Sequence, residues 1–277
     1  MNNNNQASNW LGLASAVCVI TGAAGGIGAA IARALVEQRA QVVLLDHDAD
    51  GCQALAASLS ETSGAEVVAL KCDIADSQSV QLAADWVNER FGRCDVLINN
   101  ASVLQPGSLA EISLANWNRL LEVNLTGYLL CSQAFGRLML ANQAGSLVHI
   151  SSIAAHFPQT HSGAYSAAKA GVSMLSRQLA AEWGPQGIRS NAICPGLIHT
   201  PLSAAFYADP KVEQQRKAMT ANQRIGQPID IANAALFLAS PRANYVNATE
   251  LTVDGGLESM LMALIPRPGY ESPATRR

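Results

Sequence analysis

Tyr165-Ser166-Ala167-Ala168-Lys169 sets a phenol and an ammonium four residues apart. On a helix, positions i and i+4 share one face, so the two heads can converge. A free tyrosine titrates near ~10. To exchange a proton near neutral pH it must be shifted down, and a nearby cation does this by favouring the phenolate. The pair is a candidate for general acid/base chemistry. Far upstream lies a second candidate, Thr21-Gly22-Ala23-Ala24-Gly25-Gly26-Ile27-Gly28. Glycines in such a run permit a tight turn and let a phosphate reach backbone N–H groups at a helix start. Asp46 follows 18 residues past Gly28 and closes the next apolar run. If a pyrophosphate sits on Gly22, Gly25, Gly26, Ile27 and Gly28, the adenosine ribose lies at Asp46. The carboxylate accepts hydrogen bonds from ribose hydroxyls and repels a 2′-phosphate, so the reading is NAD rather than NADP.

The elements that must position these groups alternate strictly. Short β-branched runs at 16–21, 41–46, 66–73, 95–100, 146–152 and 188–194 read as buried parallel strands. Between them, helical spacing covers 27–38, 49–60, 77–91, a long stretch 113–140, and 162–183. The pattern then loosens: 201–220 reads as a mobile helical segment, 230–239 as a helix and 250–254 as a seventh strand. The alternation predicts an α/β fold, a Rossmann-like doubly wound parallel sheet of seven strands with helices on both faces. One domain spans 14–257. Residues 1–13 read as a disordered Asn-rich lead, and 258–277 as a tail whose apolar stretch docks at a subunit contact.

Composition excludes several classes. Apolar residues make up 49% and charged residues 14%, against roughly 25% charged in an average soluble chain, which excludes intrinsic disorder. With 18 Lys and Arg against 21 Asp and Glu, a basic nucleic-acid surface is not expected. No apolar run reaches membrane-span length, and the start lacks a secretory pattern. The six scattered cysteines read as free thiols in a reducing cytoplasm. The five histidines show no metal-ligand spacing.

The Thr-Gly-x-x-x-Gly-x-Gly spacing, the Tyr165/Lys169 pair and Ser152 thirteen residues before Tyr165 together resemble the short-chain dehydrogenase/reductase family in its single-domain branch. The resemblance covers about 14–257. It implies that Ser152 holds the substrate oxygen, with Ser151 as the other candidate, and that Tyr165 is the general acid/base. It implies that Lys169 lowers the tyrosine's pKa and binds the nicotinamide ribose, and that Asn124 positions a water in a proton relay. Further cofactor contacts are implied at Asp73, Ile74, Asn100, Ile198 and Thr200. The family's basic positions for a 2′-phosphate hold Ala24 and His47 here. Ser102 stands where the family usually has glycine.

The resemblance further implies a cytoplasmic oxidoreductase acting on a small molecule and assembled as a homotetramer. Segments 154–162 and 197–220 should line the substrate pocket, with Ser152, His156, Tyr165 and Leu197 as contacts and Phe157, His161, Leu202, Phe206 and Tyr207 nearby. Their few charges favour a neutral or weakly polar secondary alcohol or ketone. Two alternatives stay open: an NADPH-dependent 3-oxoacyl-carrier-protein reductase, and a catalytically dead nucleotide-sensing protein.

Overall fold

A computed structural model describes residues 10–63, 66–265 and 267–269. Seven parallel strands form one sheet: β1 (Val17–Thr21), β2 (Gln41–Asp46), β3 (Val67–Lys71), β4 (Val96–Asn99), β5 (Gly145–Ile150), β6 (Ile188–Pro195) and β7 (Glu250–Val253). Their order is β3-β2-β1-β4-β5-β6-β7. The chain runs outward from β1 to β3 and then restarts beside β1 with β4. Connections on either side of that switch leave in opposite directions, so a crevice opens at the carboxyl ends of β1 and β4.

The continuous apolar runs resolve into two faces. In β1, Cys18 and Ile20 point into one core while Val17 and Val19 point into the other. In β2, Val42 and Leu44 oppose Val43 and Leu45 in the same way. Side chains alternate across a strand, so a strand buried on both sides must be apolar throughout. The first core packs under α1 (Gly26–Glu37), α2 (Ala49–Ser63) and α8 (Pro228–Ala239). The second packs under α3 (Ser77–Phe91), α5 (Gly127–Asn142) and α6 (Tyr165–Trp183).

Several boundaries differ from the sequence expectation, each for a physical reason. The expected long helix at 113–140 is α4 (Leu114–Leu121), a π turn (Glu122–Thr126) and α5. Hydrophobic periodicity does not see the one-residue widening of a π turn. The expected helix at 201–220 is a 3-10 turn (Pro201–Tyr207) followed by α7 (Pro210–Ala218), where Asp209 caps the new helix by accepting from Lys211 N at 2.8 Å. Residues 10–13, assigned to a disordered lead, are packed instead. Leu13 is only 2% exposed within the first core, and Arg242 donates to the Trp10 carbonyl at 2.7 Å. Residues 1–9 of that lead lie outside the described residues. The start of the tail forms a 3-10 turn (Glu258–Leu264), and 270–277 lie outside the described residues.

Candidate active site

The glycine turn leaves the end of β1 under tight steric demand. Gly22 has φ +65°, and a Cβ there would meet Ala101 Cα at 2.5 Å. A Cβ on Gly28 would meet the Gly22 carbonyl oxygen at 2.2 Å, so the helix start folds back directly on the turn. Asn100 fastens it: its amide donates to the carbonyls of Thr21 at 3.0 Å and Gly22 at 2.9 Å. Gly25 is different. It is the N-cap of α1, carries no side-chain cap bond, and a Cβ there would have only Pro201 Cγ at 4.0 Å. The first turn of α1 holds no acidic residue. An open, uncapped helix start with free N–H groups fits a dinucleotide pyrophosphate.

Asp46 ends β2 and lines the same cleft, 8% exposed. Its two oxygens accept from Ala24 N at 2.9 Å and Asp48 N at 3.0 Å. The helix cap of α2 is Asp48, which accepts from Gly51 N at 3.1 Å, so Asp46 is not spent on that job. His47 sits 2.9 Å from Asp46 with its ring mostly in solvent. Asp73 and Ile74 line the wall beyond.

The catalytic candidates meet at the ends of β5 and α6. Ser152, Tyr165 and Lys169 all line one cleft of about 890 Å³, together with the glycine turn, Asn100, Leu197, Ile198 and Thr200. Ser152 leaves β5 in extended conformation and caps a 3-10 turn (Ile153–Ala155), accepting from Ala154 N at 3.0 Å. Ser151 also reaches the wall, but its hydroxyl is committed to the Lys169 carbonyl at 2.9 Å and to Ser173 at 3.1 Å. Beyond its cap bond to Ala154 N, the Ser152 hydroxyl is engaged by the Tyr165 phenol.

Lys169 is fully buried. It donates to the Ile150 carbonyl at 2.8 Å and to the Tyr128 hydroxyl at 3.2 Å, and its nitrogen lies 5.7 Å from the Tyr165 ring centre. Burial drives this ammonium down to about 7, with the Cys194 side chain pulling weakly back. Here the structure departs from expectation. The Tyr165 phenol is raised, not lowered: burial is the larger cause, and the Ser152 hydroxyl only partly opposes it. Desolvation penalises the charged form of both groups, the ammonium and the phenolate alike.

Asn124 sits fully buried inside the π turn. Its side-chain oxygen accepts from the Ser102 hydroxyl at 2.8 Å and from Val103 N at 2.9 Å, and its amide donates to the Val103 carbonyl at 2.8 Å. The side chain thus ties α4–α5 to the loop after β4. The departure at Ser102 is absorbed here, because its hydroxyl finds a partner in Asn124.

His156, expected to touch substrate, is not among the cleft's lining residues. Its ring is held between Glu250 and Glu258, and Arg177 grips the other Glu250 oxygen. The bond from Glu250 raises the His156 pKa. Burial alone would raise the Glu250 carboxyl, but His156, Ser173 and Arg177 outweigh it and hold it below the ordinary value. Donor atoms of His156, Cys194 and Glu250 lie within 4.8 Å of one another, though Glu250 is already claimed as the shared anion of this ion-pair network. His161 and His199 also lie outside the cleft's lining. Gln159, Arg119 and Arg216 do line it. Gln159 and Arg216 fall within the two segments expected to line the pocket, whereas Arg119 went unseen because a polar residue on an exposed-looking helix carries no periodic signal.

Comparison with known proteins agrees with this geometry. A family model described as enoyl-(acyl carrier protein) reductase matches residues 22–258. D-threitol dehydrogenase of Mycolicibacterium smegmatis is 42% identical over 240 residues, covering 87% of this chain and 92% of that one. Cis-4-hydroxycyclohexanecarboxylate dehydrogenase of Sinomonas cyclohexanicum is 42% identical over 247 residues, covering 88% and 96%. Among solved structures, a gluconate 5-dehydrogenase from Burkholderia cenocepacia in complex with NADP and tartrate superposes with a TM-score of 0.87 at 32% identity, over 92% of this chain and 99% of that one. With a relative of this identity along most of its length, the chain belongs to the short-chain dehydrogenase/reductase family, the hydride-transferring oxidoreductases that act on CH–OH groups.

Proposed function

We propose that the chain is an NAD-linked dehydrogenase of a neutral or weakly polar secondary alcohol, working in either direction with the matching ketone. The observation that carries this reading is the convergence of Tyr165, Ser152 and Lys169 on one cleft that Asp46 also lines. The relatives named for D-threitol and for a hydroxycyclohexane support an alcohol substrate. The neighbour from Burkholderia cenocepacia holds NADP. In this chain a 2′-phosphate would meet Asp46 at close range, with Ala24 in the turn and an exposed His47 already beside the carboxylate. A reductase of acyl-carrier substrates, suggested by the family model's description, is disfavoured by the alcohol dehydrogenases at 42% identity. The complete Asn124, Ser152, Tyr165 and Lys169 set speaks against a catalytically dead nucleotide sensor.

A nicotinamide dinucleotide, when bound, supplies the two-electron chemistry. The glycine turn, Asp46, Asp73, Ile74, Ile198 and Thr200 are the residues that would hold it. In oxidation, Tyr165 as phenolate takes the alcohol proton. In reduction, Tyr165 as phenol gives a proton to the ketone oxygen. Ser152 donates its hydroxyl to the same substrate oxygen as charge develops there. Lys169 holds the Ile150 carbonyl and Tyr128 beneath the phenol and contributes positive charge when protonated. Asn124 keeps the 102–103 loop in register with this constellation.

The test is a panel of polyols, cyclic alcohols and simple secondary alcohols, followed by nicotinamide absorbance with NAD and with NADP. Turnover with NAD is the expected result, and a clear preference for NADP overturns the cofactor reading. We also propose a homotetramer working in a reducing cytoplasm. Exposed Leu129 and Met174 on α5 and α6, and Leu261 and Met262 in the tail, support subunit contacts, and six buried free thiols support the compartment. Among the described residues no helix is long and apolar enough to cross a membrane. Light scattering at micromolar concentration should return four copies; a monomer contradicts the assembly.

A further inference from the structure

Tyr128 carries a hydroxyl where the core asks only for a ring. The side chain is fully buried at the start of α5, just past the π turn that holds Asn124. A phenylalanine would fill that place in the second core with no polar atom to satisfy. Instead, both functions of the hydroxyl are used. It donates to the Ile150 carbonyl at 3.1 Å and accepts from Lys169 Nζ at 3.2 Å. Burial holds this phenol well above its ordinary pKa, so it stays a neutral hydroxyl near pH 7. The ring is fixed as well. It stacks on His149 with centroids 6.2 Å apart and an interplanar angle of 24°. His149 is pinned in turn by Asn99 at 3.2 Å and Ser190 at 3.1 Å.

Lys169 depends on such acceptors. The groups facing it are Tyr128 from α5, Tyr165 from its own helix, His149 and the Ile150 carbonyl from β5, and Cys194 from β6. Burial takes His149 down to about 3 and Cys194 up to about 11, so both are neutral near pH 7. Among the described residues no carboxylate helps to set the lysine's charge. Burial has already driven Lys169 down to about 7, so near neutrality a single acceptor decides how much of it is charged. A hydrogen bond is stronger from a charged donor than from a neutral one, so an accepting hydroxyl favours the ammonium over the amine. Positive charge beside Tyr165 in turn favours its phenolate.

We propose that Tyr128 is a positioning residue for the reaction: its hydroxyl, held by the Ile150 carbonyl, fixes the Lys169 ammonium beside Tyr165 and keeps it charged there for proton transfer. This rests on the alcohol-dehydrogenase reading and adds to its proton machinery a group that touches neither substrate nor cofactor. Tyr128 acts only through Lys169.

The experiment compares wild type with Tyr128→Phe, which removes one oxygen and keeps the ring. Phe135→Leu, two turns along the same face of α5, controls for a disturbed core with no hydroxyl lost. The chain has only four lysines, and Lys169 alone of them is buried, so carbon-13-labelled lysine lets NMR read its titration directly. Tyr128→Phe should lower the Lys169 midpoint by about one unit and leave Lys71, Lys211 and Lys217 unmoved. The apparent pKa of alcohol oxidation should rise by about half a unit to one unit, with kcat near pH ~7 down about three- to tenfold and KM for the alcohol unchanged. Phe135→Leu should move neither titration, whatever it does to Tm. Tyr128→Met, which fills the space flexibly without the hydroxyl, gives the same two readings should the phenylalanine variant not fold. A Lys169 midpoint or an oxidation profile that stays put overturns the proposal, as does an equal shift in Phe135→Leu. If wild type turns over no alcohol in the panel, the alcohol-dehydrogenase reading falls, and the NMR titration alone decides whether Tyr128 holds the charge on Lys169.

Discussion

The floor of the cleft and its lid are built by different means. On the floor, at the strand ends, hydrogen bonds do the holding: Asn100 clamps the glycine turn, Asp46 holds two backbone N–H groups, and Lys169 is tied to Ile150 and Tyr128. The segment from Pro201 to Ala218 is held instead by ring contacts, with the Arg216 guanidinium resting on Phe206 and Tyr207 and Tyr207 stacked on His199. The floor is finished before any ligand arrives, so it suits the parts of the reaction common to every substrate. A segment held by ring packing, which fixes few polar directions, suits the part that varies. The difference teaches where to look for chemistry and where to look for selectivity.

The sharpest way to break this contrast is at the floor. Tyr165→Phe should lower turnover by about 10²- to 10⁴-fold, the range for a positioned acid/base, while NAD affinity is retained. Near-normal turnover would remove Tyr165 from its assigned role. Asp46→Ala addresses the cofactor end. A like charge a few ångströms from a 2′-phosphate costs about 1–4 kcal/mol at effective dielectrics of 80 to 20. The ratio of kcat/KM for NAD over NADP should therefore fall by about one to three decades. An unchanged ratio would mean that Asp46 only braces the turn.

Titration separates floor from rim. Burial raises Tyr165, so the phenolate needed for oxidation gains population as pH climbs, and alcohol oxidation should be faster at pH ~9 than at pH ~7. Ketone reduction, which needs the phenol, should not show that rise. A flat oxidative profile would show that Tyr165 does not gate the proton. The smallest effect belongs to the His156 network outside the cleft. A raised histidine contributes stability below its ordinary pKa and loses it as pH rises through the raised value. Glu250, held low, loses its contribution only as pH falls through its lowered value. Between pH ~6 and ~9 the wild type should therefore lose more thermal stability than His156→Asn, by about 2 °C in Tm for a partly exposed pair. Equal losses in the two proteins would leave the network without a stabilising role.

How much of this was legible in the chain differs from residue to residue. The glycine turn, Asp46 and the Tyr165/Lys169 pair are readable because each is a short spacing tied to one element end, and local geometry follows directly from such spacings. The central strands are readable because burial on both faces forces unbroken apolar runs, whereas the edge strands β3 and β7 are only partly buried. His156 went astray because its partners are Glu250 and Glu258, about a hundred residues on, and nothing near it in sequence announces them.

The sequence by itself determined the alternation and the doubly wound sheet, and it singled out the glycine turn and the Tyr165/Lys169 pair as candidates. All of these are carried by periodicity and by residues within one turn of each other. Only the tertiary structure showed that the Ser151 hydroxyl is taken up by the Lys169 carbonyl and Ser173. It alone lifted Tyr165 upward in pKa, since burial depends on everything packed around a group rather than on the one lysine four residues away. It also left Asn99 Oδ1, at the end of β4, without a partner among the described residues. Which polar atoms remain unpaired is settled only when every other atom has taken its place.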